Sequence, residues 1–381
     1  MRRLYAWGAN SHGQLGLGFQ SELLILPCEI DISSSSLNVK HIKRISGGAG
    51  HTLILDERGR AYSCGWNDRG QAGVGSKNEK EVLKFDEING LENERIKDIA
   101  CGWNSSMALT EDGQVYVWGS NSHGQLGIKN SKDFKDFREP TKIDYLPERI
   151  KHMSMGLRHS AMVTESGKVL ITGSGIKSQL GIMDQDNRVI KNFDTFVKIP
   201  ELNDVAEVVC GQNHTVALTQ SGKIFTWGDN RYGQCGFDND VKSRIDSPSE
   251  VKVEGVGKIL EIRVGWTHTS ALRVDNTLIT WGRNNYGQLG YEEDGNRYTW
   301  MPTSTFATPK ICQFSIGSEH NIAINENRSV YTWGWNEHGN CGDGSTRDVW
   351  QPKKVDFPHE GEAILVGSGA GHSFAVVIDK T

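Results

Sequence analysis

Tyr331-Thr332-Trp333-Gly334-Trp335-Asn336-Glu337-His338-Gly339-Asn340-Cys341-Gly342 decides how this chain is read. Alone, it is a short aromatic strand running into a glycine-rich loop. Beside the rest of the sequence, it is the last of seven copies of aromatic-Gly-x-Asn-x-x-Gly-Gln-x-Gly, with Asn340 in the Gln slot. The glycine that ends the strand falls at Gly8, Gly65, Gly119, Gly173, Gly228, Gly282 and Gly334, at intervals of 57, 54, 54, 55, 54 and 52 residues. A period of this size marks a repeat architecture and overrides the two or three domains that length alone suggests.

A second motif, Gly-x-x-His-[Thr/Ser/Asn], keeps the same period at Gly48/His51, Gly156/His159, Gly211/His214, Gly265/His268, Gly317/His320 and Gly369/His372. One copy, Gly102 to Ser105, has Ser in place of His. One unit reads as four short strands: Ile96–Ala100, Ser105–Thr110 after a turn at 101–104, Gln114–Gly119 after a tight turn at Glu111-Asp112-Gly113, and a short strand near Thr141-Lys142-Ile143 after Pro140. Seven such units in an open row would leave two exposed edges, and radial closure removes them. The chain begins at a third strand (Leu4–Gly8) and ends on a first and second (Ala363–Val366, His372–Ile378). Residues 1–381 are therefore expected to form one all-β domain, a seven-bladed β-propeller closed by pairing the N- and C-terminal strands in one blade.

Most repeated residues have structural readings. Trp7, Trp118, Trp227, Trp281 and Trp333 recur in register and are expected between blades. The repeated histidines, one per unit, are expected to hydrogen-bond between neighbouring strands rather than hold a metal. Asn10, Asn67, Asn121, Asn230, Asn284 and Asn336 read as turn-stabilising side chains, because the loops lack the lysine and following helix of a phosphate loop. The fourth copy, Leu170 to Gly181, lacks the aromatic, the Asn and one Gly, and reads as drift in a tolerant blade or as a specialised edge or contact loop.

The formal charge of −5 over 381 residues, with no basic tail, gives no footprint for nucleic acid. Seven scattered cysteines without a Cys-x-x-Cys pair favour free thiols in a reducing compartment. The first repeat begins within a few residues of Met1, leaving no room for a signal peptide, and no apolar run approaches a membrane span. A soluble, intracellular, monomeric protein without a cofactor is expected. No nucleophile–base pair, Gly-x-Ser-x-Gly elbow or His-Glu-x-x-His motif stands out, so an ordinary enzyme is not indicated.

Gly-x-x-His-Thr and Trp-Gly-x-Asn-x-x-Gly-Gln-Leu-Gly, repeated over essentially the whole chain, resemble the regulator of chromosome condensation repeat, a seven-bladed propeller. Ala6-Trp7-Gly8-Ala9-Asn10-Ser11-His12-Gly13-Gln14-Leu15-Gly16, Gly317-Ser318-Glu319-His320-Asn321, Trp333 to Gly339, Cys341-Gly342-Asp343-Gly344, Val349-Trp350-x-Pro352 and Gly369-Ala370-Gly371-His372-Ser373 are most similar to the secretion-regulating guanine nucleotide exchange factor family. That resemblance implies a cytoplasmic, partly nuclear adaptor-like propeller. Its implied partners are the exocyst and the small zinc-ribbon protein of diphthamide synthesis, the latter linked also to wobble-uridine tRNA modification. It leaves open nucleotide exchange on a small GTPase, which involves no covalent chemistry.

Residues the repeat does not need point to a binding platform. The turn before each second strand carries a different pair: Ala49-Gly50, Trp103-Asn104, Leu157-Arg158, Gln212-Asn213, Trp266-Thr267, Ser318-Glu319 and Ala370-Gly371. In a closed ring these turns share one face, which would present Trp103, Asn104, Arg158, Trp266 and Glu319; Trp and Arg are the usual anchors of binding hot spots. Trp66, Trp335, Glu337, His338 and Asp343 fill variable loop slots, and Trp300 and Trp350 are placed in connections between repeats. For exchange on a GTPase, the acidic loops Tyr291-Glu292-Glu293-Asp294 and Asp184-Gln185-Asp186 are the candidates. Lys129 to Glu139 reads as a mobile loop between strands or a secondary docking loop.

Overall fold

In a computed structural model the chain closes into seven four-stranded antiparallel blades. The structure describes residues 1–380 apart from 34, 75–79, 130–134, 253–256, 292–297 and 305–309. With blades numbered by their copy of the repeat, blade 1 is built from both ends of the chain: Gly361–Ser368, His372–Asp379, Arg2–Asn10 and Ser21–Glu29, from the channel outward. Blades 2 to 7 then start at Ile42, Ile96, Ile150, Val205, Ile259 and Ile311. Arg2 to Gly8 pairs with Ile378 to His372 without a break, so closure of the ring is made of strand hydrogen bonds. No helix among the described residues is long and apolar enough to cross a membrane.

The strand-ending glycine is required by close approach. Gly334 has φ +106, and a Cβ there would lie 2.5 Å from the Glu319 carbonyl oxygen and 2.8 Å from His320 Cα. The Asn of the loop, present in every blade but the fourth, holds the following turn: Asn336 Oδ1 accepts from the Cys341 N–H at 2.8 Å, and Asn121 Oδ1 accepts from the Leu126 N–H at 2.9 Å.

Neighbouring blades are joined by a repeated latch. Its hub is the backbone carbonyl of the loop Gln. Gln71 O accepts from Ser106 Oγ of the next blade at 2.7 Å and from Trp118 Nε1 at 2.9 Å. The same pair recurs from Thr215 and Trp227 to Gln179, and from Ser373 and Trp7 to Asn340. The repeated histidine completes it, reaching the same hydroxyl or amide of the next blade: His51 to Ser106, His159 to Thr215, His214 to Thr269, His268 to Asn321, His320 to Ser373 and His372 to Thr52, at 2.9 to 3.2 Å. Each hydroxyl proton is already committed to the carbonyl, so the imidazole must donate, which fixes its proton on Nε2. The bonds run between blades rather than within one.

Two blades lack the aromatic: Cys64 and Thr172 stand in the Trp slot of blades 2 and 4. The fourth strand supplies the missing ring. The register sets Pro27, Pro140, Pro248, Pro302 and Pro352 at the bulge beside the five Trp positions, and Phe85 and Phe196 at the same place in blades 2 and 4. The last loop glycine of the preceding blade lies against indole where Trp is present, as Gly73 does against Trp118; Gly16 and Gly127 lie instead against Phe85 and Phe196. The fourth copy is thus a compensated blade rather than a drifted one. Proline fits at these places because the fourth strand is the outer edge and bulges there.

Other expectations move. Trp300 and Trp350 lie within the fourth strands of blades 6 and 7, not in connections between repeats. The end of the Lys129–Glu139 segment is strand, Asp136–Lys142, and Arg138 reaches back to blade 2, donating to the Asp68 carbonyl at 2.6 Å. Residues 130–134 lie outside the described residues.

Candidate docking face

In each blade the first-to-second-strand turn and the third-to-fourth-strand loop emerge at the same end. The contact is explicit. The residue after the strand glycine donates its N–H to the turn carbonyl in every blade, as Ser120 does to Asn104 at 2.9 Å, Ser174 to Arg158 at 2.8 Å and Trp335 to Glu319 at 2.8 Å. The variable turn pairs and variable loop slots therefore share one face. Successive turns are tied by backbone bonds, including Ala49 N–H to Trp103 O at 2.9 Å, Trp266 N–H to Ser318 O at 2.7 Å and Ser318 N–H to Ala370 O at 3.1 Å. This mouth of the channel is a stitched backbone ring.

Trp103 and Trp266 belong to blades 3 and 6, nearly opposite in a ring of seven. Their indoles nevertheless meet over the mouth, centroids 5.1 Å apart and planes tilted by 43°. Both are half-buried, so part of each ring faces outward. Arg158 is exposed on the equivalent turn of blade 4 and Asn104 is half-buried. His123 is held below the usual imidazole range by burial and then by Arg158.

Two sequence candidates leave the surface. Glu319 is only 5% exposed: its carboxylate accepts from Thr267 Oγ1 and Gln288 Nε2, both at 2.6 Å, and lies 3.7 Å from His268 Nδ1. It is a bridge between blades 6 and 7. The Asp343 side chain is 6% exposed and receives Asn336 Nδ2 at 3.1 Å, the Ser345 N–H at 3.0 Å and Lys353 Nζ at 2.8 Å. Against the opposing effect of burial, Lys353 and Ser345 hold its carboxyl below the usual range. It organises its own loop.

The remaining candidates lie farther out. Trp335 packs edge-on against His338, centroids 5.1 Å apart, next to Gly371 of blade 1, and Glu337 is exposed beside them. Trp66 of blade 2 instead stacks face-to-face on His12 of the blade 1 loop, at 4.6 Å and 10°, next to Gly50. Trp350 is half-buried at the rim against Gly287. Of the acidic loops, Asp184 accepts from the Asp186 and Arg188 N–H groups at 2.9 Å and so shapes a turn, while Glu292, Glu293 and Asp294 lie outside the described residues.

Sequence reasoning missed a group on blades 5 and 6. The Arg283 guanidinium lies over both Tyr232 and Tyr286, 5.0 and 4.9 Å from the ring centroids, and Arg231 lies 6.0 Å from Tyr232. The signal was present in the two variable positions of Gly-x-Asn-x-x-Gly, which carry Arg-Tyr in blade 5 and Asn-Tyr in blade 6.

The other end of the channel is charged but internally paired. Arg44 meets Asp98 at 2.9 Å and Arg263 meets Glu207 at 2.5 Å, with His152 3.6 Å from the same carboxylate. Burial opposes the Glu207 charge, yet Arg263, His152 and the Ile262 amide hold it at about 2. An open aromatic face at one end and a neutralised ion network at the other make the first the candidate site.

The RCC1-like domain family matches residues 3–375. The chain belongs to the RCC1-like family, in the branch of the secretion-regulating guanine nucleotide exchange factors. It is 36% identical to the bovine (Bos taurus) protein of that name, over 98% of this chain and 82% of the relative. It is 33% identical to the ultraviolet-B receptor UVR8 of Arabidopsis thaliana, over 96% and 79%. Among solved structures, Prp20p of Saccharomyces cerevisiae, described with its binding properties to Gsp1p and histones, superposes with a TM-score of 0.87 at 25% identity, over 100% of this chain and 92% of that one. An RCC1-like propeller thus carries this face, and the residues that distinguish it sit in the variable slots of a common frame.

Proposed function

We propose that this RCC1-like propeller is a non-enzymatic adaptor that docks a small partner protein on its turn face, as a monomer acting in the cytoplasm and nucleus. The observation that carries the reading is the Trp103–Trp266 pair. The repeat does not need either indole, both keep outward surface, and the stitched turns beneath hold them rigid. Rigid, half-buried aromatics flanked by Arg give binding energy at low entropic cost. The partner class that the family resemblance supplies is the small zinc-ribbon protein of diphthamide synthesis, with an exocyst subunit as a second candidate. Changing Trp103 and Trp266 together to Ala is expected to weaken binding of purified zinc-ribbon protein by about a hundredfold or more, on the order of two hot-spot residues, with a near-unchanged thermal melt. Binding within threefold of wild type contradicts the proposal.

A second reading, guanine nucleotide exchange on a small GTPase, is favoured by the exchange-factor name of the 36% identical relative and by the Gsp1p binding of Prp20p. It uses the same face, with the GTPase as the docked protein. Release of labelled nucleotide from a panel of purified small GTPases tests it: acceleration at micromolar protein supports exchange, and none removes it.

A further inference from the structure

The docking face is chemically lopsided. Between the two tryptophan blades runs an arc of Arg158 and Lys177 on blade 4, Arg231 and Tyr232 on blade 5, and Arg283 and Tyr286 on blade 6. Arg158 and Lys177 are exposed, and neither has a carboxylate partner among the described residues. Asp229 binds Arg231 through contacts of 2.8 to 3.1 Å, but its side chain is 4% exposed, so the cation, not the anion, faces outward. Arg283 is held between two tyrosine rings and donates to Asn285 Oδ1 at 3.1 Å, its only side-chain acceptor among the described residues. Ile176, 61% exposed, sits in the same arc beside Lys177.

This inner arc contrasts with the rest of the molecule. The chain is net −5. The outer loops of blades 4 and 5 are mixed in sign, with Asp184, Asp186 and Asp240 beside exposed Arg188, Lys191, Lys242 and Arg244. The hairpin turns of the opposite face are mixed in sign, with exposed carboxylates at Glu57, Glu111, Asp112, Glu165, Asp275 and Glu326 and exposed cations at Arg58, Lys223 and Arg328. A basic, aromatic arc on an acidic molecule is a local arrangement, not a consequence of composition.

We infer that the arc of blades 4 to 6 receives an acidic peptide segment of the docked protein, with an apolar side chain seated against Trp103, Trp266 or Ile176. This rests on the docking reading above and names the chemistry of what docks. Guanidinium groups pre-oriented by stacking or by a buried carboxylate match carboxylates in paired hydrogen bonds, and complementary charge accelerates the encounter. A nucleic acid would meet the molecule's net negative charge beyond the arc, which opposes binding driven by phosphate neutralisation.

The test uses the full chain and a random peptide library displayed on phage, followed by titration of the labelled enriched peptide. The expected peptides are net negative with an apolar or aromatic anchor. Their affinity should fall about tenfold or more in Arg158→Glu/Lys177→Glu, two exposed positions without a carboxylate partner among the described residues, and fall with rising salt, as loss of close charge pairs at an interface does. Neutral or basic peptides, no enrichment, affinity within threefold in the charge-reversed variant, or tighter binding of an oligothymidylate overturns the inference. Peptides lost in Trp103→Ala/Trp266→Ala but insensitive to charge reversal leave the docking reading standing and remove this one. Peptides insensitive to both variants remove both.

Discussion

Trp103, Arg158, Trp266 and Glu319 all depart from the repeat at equivalent turns, and that departure was legible in the sequence. Which way each side chain points was not. Tryptophan is too large to fit beneath the stitched turns and stays at the mouth, whereas the Glu319 carboxylate finds two donors inside and is buried there. A buried carboxylate with both oxygens bonded is costly to disturb. Glu319→Gln keeps the acceptor for Thr267 but turns an amide N–H₂ toward the Gln288 amide. The expected loss is about 1–3 kcal/mol of stability, read as a lower denaturation midpoint, with affinity for any docked partner unchanged at a permissive temperature. A variant as stable as wild type but impaired in binding would return Glu319 to the docking face.

At the scale of a blade, strand count, order and ring closure followed from periodicity, because each of the seven copies carries the same glycine and turn signals. The compensation in blades 2 and 4 did not, although its letters were in view. It needs the register that places Phe85 and Phe196 at the bulge occupied elsewhere by proline. Read along one strand, Cys64 and Thr172 look like losses; read across two strands, one aromatic ring has changed its point of attachment. Phe196 and Phe85 are nearly buried, at 8% and 3% exposure. Phe196→Ala and Phe85→Ala should each cost about 3–5 kcal/mol, the usual range for a large ring removed from a core, seen in urea denaturation. Thr172→Trp alone should also destabilise, because the indole and Phe196 compete for the space against Gly127. A gain in stability from Thr172→Trp would mean that the slot is empty.

Over the whole molecule, the histidine latch makes stability depend on pH. Burial holds His51, His159, His320 and His372 at about 3 and His214 at about 4. In the unfolded chain they titrate near 6.5, so between these values the unfolded chain binds more protons than the ring. The contribution of the neutral latch is therefore whole above pH 6.5 and is lost as pH falls below it, by about 1.4 kcal/mol per pH unit for each imidazole. The urea midpoint should drop steeply between pH 6.5 and about 4.5, and His320→Gln with His372→Gln should flatten that drop; a midpoint constant over this range contradicts the latch. The ring built in this way holds two different faces, one aromatic and basic toward its centre, the other mixed in sign with its central charges paired. Which face docks is the central claim. Hydrogen exchange of the full chain with and without a bound partner protein tests it most directly. Protection is expected in the turns at Trp103-Asn104, Leu157-Arg158 and Trp266-Thr267 and in the loops at 229–233 and 283–287, with the hairpins at 57–59, 111–113 and 165–167 unchanged. Protection confined to those hairpins, with the turns exchanging as in the free protein, would contradict it.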